Sequence, residues 1–214
     1  TMAVGSRGSH GAVDERRTMS EVTGEQGTMV VDADTGVLAG ARQCPSPHCD
    51  DRPDPTDIGL IVVHGISLPP GEFGGGWIDA LFTASLPRDV HPYFEEIAHL
   101  RVSSHLLIQR SGETVQYVPF HRRAWHAGPS AFRGRRACND FSIGIELEGT
   151  DHEPYTEVQY RRLADICAEL IATYPGLGPE RIAGHCHIAP ERKTDPGPAF
   201  DWARFRAELA GKTR

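Results

Sequence analysis

A mixed α/β fold, a central mixed β-sheet flanked by helices, is the architecture this sequence predicts. Three observations lead to it. Two short apolar runs, 58–64 and 142–147, read as buried strands. One long stretch, 156–174, carries apolar residues at helical spacing. Strand and helix signals then mix along the chain without a strict βαβ repeat, so the sheet is expected to be mixed.

Taken in order, residues 1–28 are polar, Gly- and Ser-rich and aperiodic, and Gly5-Ser6-Arg7-Gly8-Ser9-His10 reads as tag sequence. They are expected to form a disordered N-terminal extension, with Met29 as the native start and 29–214 as one folded domain. Residues 44–57, rich in Pro and Asp, read as an irregular loop. The run 58–64 is a β-type segment ending in His64. In 77–86, Ile78, Leu81 and Phe82 fall at helical spacing. Segments 105–109 and 114–120 flank Ser111-Gly112-Glu113, which reads as a hairpin with a glycine turn. Residues 142–147 form another strand. In 156–174, Thr156 and Gln159 can form a capping box, and Val158, Leu163, Ile166, Leu170, Ile171 and Tyr174 make one apolar stripe. In 184–198, Pro190, Pro196, Gly197 and Pro198 force loop geometry and leave almost no room for a helix. A short terminal helix, 201–209, turns Trp202, Phe205 and Leu209 toward the core.

Composition narrows the function. A chain of 214 residues, 39% hydrophobic and 24% charged, suits one soluble globular domain. A net charge of −7 argues against nucleic-acid binding and against adhesion to anionic membranes. No run approaches the ~18 apolar residues of a membrane span. No basic n-region followed by an apolar h-region is visible, so no secretory signal is expected. Five scattered cysteines fit a reducing cytoplasm better than a disulfide framework. Cys186 adjoins His185, but neighbours on an extended segment point opposite ways, so it reads as packing.

The chemistry-bearing residues gather in a few segments. His64 ends a buried strand, and His185 and Asp195 share the constrained loop. Two imidazoles and a carboxylate make a catalytic zinc set with a fourth position open for water. The same set also suits non-haem iron. Alternation in 142–148 puts Glu146 and Glu148 on one strand face, with Ile145 and Leu147 opposite. Lys193 lies two residues before Asp195, where an ammonium can face a developing oxyanion. Trp125 offers an aromatic wall for a ligand, His126 a group behind the metal or facing substrate, and Tyr93 a weaker contact. Arg101 and the cluster Arg133, Arg135 and Arg136 offer positive charge to an acidic peptide.

Three segments also carry a family resemblance. They are Val63-His64-Gly65-Ile66-Ser67-Leu68-Pro69-Pro70-Gly71-Glu72-Phe73-Gly74, Ile143-Gly144-Ile145-Glu146-Leu147-Glu148-Gly149-Thr150, and the loop from Gly184 to Pro198. In this order they resemble the zinc-dependent N-acetylmuramoyl-L-alanine amidases of cell-wall recycling, whose fold is shared with peptidoglycan recognition proteins and phage amidases. The likeness runs from about Gly36 to Leu209. It implies a zinc amidase domain over 29–214, one zinc per chain on His64, His185 and Asp195, Glu146 as catalytic base and Lys193 as transition-state stabiliser. It leaves Glu148 a structural role and adds Ala189 to Trp125, Tyr93, Arg101 and His126 as candidate substrate contacts.

The implied reaction cleaves the bond between the lactyl group of 1,6-anhydro-N-acetylmuramic acid and L-alanine in soluble muropeptides. The implied setting is a monomeric, cytoplasmic bacterial enzyme that indirectly limits β-lactamase induction. A wall-lytic periplasmic or phage amidase, or a non-catalytic peptidoglycan-recognition module, are the alternatives. One departure stands out: the family usually has Asn after the first metal-binding histidine, where this chain has Gly65. The expected effect is looser substrate positioning with the ligands untouched.

Overall fold

The computed structural model of the protein describes residues 28–213, so all but Thr28 of the expected N-terminal extension lies outside the described residues. The chain begins with strands β1 (Val30–Asp32), β2 (Val37–Ala39), β3 (Arg42–Gln43), β4 (Cys49–Asp51) and β5 (Leu60–Ile66). Helices α1 (Trp77–Phe82) and α2 (Pro92–Ile97) follow. Next come β6 (Leu106–Ile108), β7 (Thr114–Gln116), β8 (Arg122–Ala124), β9 (Ala131–Phe132), β10 (Arg135–Arg136) and β11 (Ser142–Glu148). The chain closes with α3 (Glu157–Thr173), β12 (Ile182–Gly184), α4 (His185–Ile188) and α5 (Trp202–Ala210). Among the described residues no helix is long and apolar enough to cross a membrane.

The central sheet has six strands in the order β12-β5-β11-β6-β7-β3. β12, β5, β11 and β6 run parallel, while β6 and β7 form the expected antiparallel hairpin. Gly112 sits in its turn at φ 85°, a left-handed conformation that favours glycine. The sheet is therefore mixed, as the sequence predicts.

Alternation sorts the two central strands by face. Ile61 and Val63 of β5, with Ile143, Ile145 and Leu147 of β11, pack under Leu163, Ile166 and Leu170 of α3 and Phe205 and Leu209 of α5. Leu60 and Val62 point the other way, into a smaller cluster with Ala183, Phe141 and Ile188. His64 and Glu146 follow that second parity and are opposite one another in the parallel register. The α3 capping box forms as expected, Gln159 N donating to Thr156 Oγ1 and Thr156 N to Gln159 Oε1.

Several expectations need correction. Residues 44–57 are not wholly irregular: β4 pairs antiparallel with β8. That pairing is a tertiary event which local composition does not encode. The helix in 77–86 stops at Phe82, and Ala84 turns left-handed at φ 60°. Helix α2 gave no clear sequence signal. Its N-cap is His91, whose Nδ1 accepts from Tyr93 N, and Pro92 fills the first turn. The 184–198 loop opens with one helical turn, α4, because its prolines begin only at Pro190.

Candidate active site

Three segments meet at the carboxyl ends of parallel strands, the usual ligand position in sheets of this kind. His64 comes from β5, Glu146 from β11, and His185 from the first residue of α4, directly after β12. The loop beyond α4 returns Asp195, whose carbonyl accepts from Cys186 N at 2.9 Å.

His64 Nδ1, His185 Nδ1 and Asp195 Oδ2 form a triangle. Its sides are 3.0 Å between the imidazoles, 3.2 Å from His64 to Asp195 and 3.1 Å from His185 to Asp195. Donors on a tetrahedral ion with bonds of ~2.0 Å lie about 3.3 Å apart, so the triangle has nearly the size of one face of such a shell. Both histidines are buried, at 2% and 3% exposure, and Asp195 is largely covered. His185 Nε2 lies 3.2 Å from the Ala127 carbonyl, which can only accept. The proton therefore sits on Nε2 and the Nδ1 lone pair faces the triangle. His64 Nε2 is backed by His126 Nδ1 at 2.9 Å, and His126 Nε2 by Ser142 Oγ at 3.0 Å.

Electrostatics favour the ligating forms. Burial pushes His64 down to about 4, so its imidazole is neutral at pH 7. Burial pushes Asp195 up, but the two imidazoles beside it, His185 and His64, outweigh that and hold the carboxyl well below its usual range. His64 and Asp195 thus present metal-binding forms near neutrality, and the three donors together fit a divalent metal.

Glu146 Oε1 stands 3.9 Å from His64 Nδ1, and its buried Oε2 has no hydrogen-bond partner. Burial raises its pKa well above the ordinary value, and nearby Asp195 adds to that, while Lys193 opposes. A raised carboxyl pKa beside a metal-competent triangle suits proton transfer. Glu148, on the same face, is engaged elsewhere. It accepts from Gly74 N at 2.6 Å and Arg110 N at 3.1 Å, tying two loops to the sheet.

These groups line a cleft of about 610 Å³. Leu68, Leu81, Phe82, Ile97 and Val102 form an apolar wall with Tyr93. Thr150, Asp151, Lys193 and Thr194 form a polar one. Among the described lining residues Lys193 is the one lysine or arginine. His126 also lines the cleft.

Three sequence candidates lie outside this lining. Trp125 donates Nε1–H to Asp50 Oδ1, stacks on His48 and is covered by the Arg101 guanidinium 5.0 Å from its ring centre. The two side chains pack on each other, and Trp125 is tied to β4 through Asp50. Ala189 is buried, and its carbonyl accepts from Arg192 N and Lys193 N. The arginine cluster is also elsewhere. Arg135 pairs with Asp57 and Arg133 donates to the Glu180 carbonyl, at the amino ends of β5 and β12. Sequence reasoning missed Asn139, Ser142 and Tyr155, none of which carries a motif signal.

The family model for N-acetylmuramoyl-L-alanine amidase matches residues 54–198. The chain belongs to the N-acetylmuramoyl-L-alanine amidase family. This amidase is 64% identical over 177 residues to the 1,6-anhydro-N-acetylmuramyl-L-alanine amidase AmpD of Salmonella typhimurium, covering 83% of this chain and 94% of that one. It also resembles a crystal structure of selenomethionine AmpD, with 63% identity, a TM-score of 0.81, and coverage of 85% and 99%. The E. coli amidase AmiD, solved in complex with anhydro-N-acetylmuramic acid-L-Ala-D-gamma-Glu-L-Lys, is a more distant neighbour. There the identity is 29% and the TM-score 0.53, over 85% of this chain and 65% of that one.

Gly65, the departure from the family pattern, faces away from the triangle. A Cβ built there would collide with Tyr155 Oη, whose hydroxyl donates to the Pro196 carbonyl at 2.9 Å. In this amidase the missing side chain makes room for a tyrosine that braces the Asp195 loop.

Proposed function

We propose that this amidase hydrolyses the amide between the lactyl group of 1,6-anhydro-N-acetylmuramic acid and L-alanine in soluble muropeptides, a step of peptidoglycan recycling. The observation that carries the reading is the donor triangle, with Glu146 and Lys193 sharing one cleft. The likeness to AmpD supports the anhydro-sugar substrate. A cleft of about 610 Å³ suits a small fragment.

His64 Nδ1, His185 Nδ1 and Asp195 Oδ2 would hold one zinc ion. Zinc there would supply Lewis acidity and a water of pKa ~7. Glu146 takes a proton from the attacking water and delivers it to the departing amine of L-alanine. The Lys193 ammonium faces the negative charge that grows on the carbonyl oxygen. His64 and His185 are fixed behind the reacting centre, each by its Nε2 contact. Tyr93 and the apolar wall exclude water from one side of the substrate.

The five cysteines are all free, which suits a reducing compartment, and we read the enzyme as cytoplasmic. Loss of the activity would let anhydro-muropeptides accumulate and so would favour β-lactamase induction.

Metal analysis and an amidase assay test the reading together. The wild-type chain should bind one zinc and release the peptide from an anhydro-muropeptide faster than from intact wall. His64→Ala and Asp195→Ala should lose most of the metal and the turnover. Full zinc retention in both variants refutes the ligand set. A preference for intact wall refutes the recycling substrate and favours a wall-lytic enzyme.

A further inference from the structure

We infer that Asn139 is a positioning residue for both histidine ligands, acting through the dipeptide His126-Ala127. The inference rests on the metal reading above and extends it to a residue that touches neither the metal nor substrate.

The geometry runs through one short segment. The two candidate ligands each need the nitrogen remote from the metal to be held, and both holders are adjacent in sequence. His64 Nε2 meets the His126 ring at 2.9 Å, and His185 Nε2 meets the Ala127 carbonyl at 3.2 Å. The backbone of this dipeptide is anchored from a single atom. Asn139 Oδ1 accepts from His126 N at 3.2 Å and from Ala127 N at 2.8 Å. Both partners are backbone donors, so the amide orientation is fixed with its oxygen toward them. The residue thus sets the height and tilt of both holders at once.

Asn139 is itself fixed. It lies in a 3-10 turn (Cys138–Asp140) leading into β11. Its carbonyl and that of Asp140 accept from Arg52 Nη1 at 3.1 Å each. Arg52 is buried and also donates to the Ser142 carbonyl at 2.7 Å, at the start of β11. The strand that carries Glu146 and the turn that carries Asn139 therefore share one brace. The His126 ring is held on its remaining sides too. Its Nε2 meets Ser142 Oγ, and it lies flat against Gly144, where a Cβ would overlap the ring. A side chain at 144 would push His126 off His64.

Outer partners of metal-bound histidines typically change metal affinity by about 10–100-fold when removed. Asn139→Leu keeps the branching at Cγ and removes the acceptor. It should weaken zinc binding by that factor, measured by competition with a chromogenic chelator. Asn139→Asp restores an acceptor oxygen and should bind zinc within a few-fold of wild type. A residue that merely fills space would lose zinc-free stability in Asn139→Leu with no loss of zinc affinity beyond it.

Thermal melts of the zinc-free variants separate fold from site: the loss of affinity should exceed any loss of zinc-free stability. Ser142→Ala removes one oxygen from the His64 arm. It gives an independent reading if Asn139→Leu does not fold, and should weaken zinc binding while keeping the secondary structure. Zinc affinity equal to wild type in Asn139→Leu, or in Ser142→Ala when that is the variant measured, overturns the inference alone. A wild-type chain that binds no zinc overturns both the inference and the metal reading.

Discussion

Glu146 and Lys193 are divided by their surroundings. Glu146 is buried with one oxygen unpartnered, whereas Lys193 lies on the cleft wall. Glu146→Ala should keep zinc and lose turnover by ~10²–10⁴-fold, the usual worth of a positioned base. Lys193→Ala should keep zinc and lose roughly 10²–10³-fold. Their pH profiles should differ. Burial raises the Glu146 pKa, and only the carboxylate can take a proton, so turnover falls as pH drops through that raised value. The acid limb should therefore vanish in Glu146→Ala and persist in Lys193→Ala. Near-normal turnover in zinc-loaded Glu146→Ala would move the base to another residue. At this scale the sequence was most informative where a residue sat inside a long motif. Asn139 had no such frame, because its value lies in two backbone hydrogens that only the fold brings to it.

Elements were legible in proportion to their length. Helix α3 has seventeen residues, a full capping box and one apolar stripe, and its signal is local. Strands of two or three residues, such as β3, β9 and β12, exist only through their partners, so no window of sequence announces them. The end of β5 shows how two elements constrain each other. Tyr155 stands over Gly65 of β5 and over Gly149, just past β11, and a Cβ at either position would strike it. Gly65→Ala should therefore destabilise the fold by roughly 1–3 kcal/mol through overpacking. Tyr155→Phe should cost about 1 kcal/mol for the lost hydrogen bond to Pro196. The double variant should be more stable than the sum of the two predicts, because removing the hydroxyl opens the space the methyl needs. Urea midpoints of all four proteins measure the coupling, and strict additivity would refute the close contact.

The whole molecule places its chemistry by topology. His64 and His185 are 121 residues apart in sequence, and the parallel order β12-β5-β11 brings them and Glu146 to one end of the sheet. Local patterning names strands but not their order, so that convergence was legible only through the motifs. It also means that a metal on these three donors cross-links the central sheet to the C-terminal loop. Without the metal, two buried imidazoles and a carboxylate converge with their lone pairs on one point, an arrangement that folding alone does not favour. Zinc should therefore stabilise the folded chain by mass action, since the unfolded chain offers no preformed triangle. At a free concentration of ~1,000 times Kd the gain is about 4 kcal/mol. For a domain of this size 1 kcal/mol moves Tm by about 2–4 °C, so removing zinc should lower Tm by roughly 8–16 °C. Asp195→Ala should melt at nearly the same temperature with and without zinc, because the loop end of the cross-link is gone. Calorimetry before and after chelation reads both quantities. An unchanged wild-type Tm, with loss of zinc verified by metal analysis, would show that the sheet and the loop hold their places without the ion.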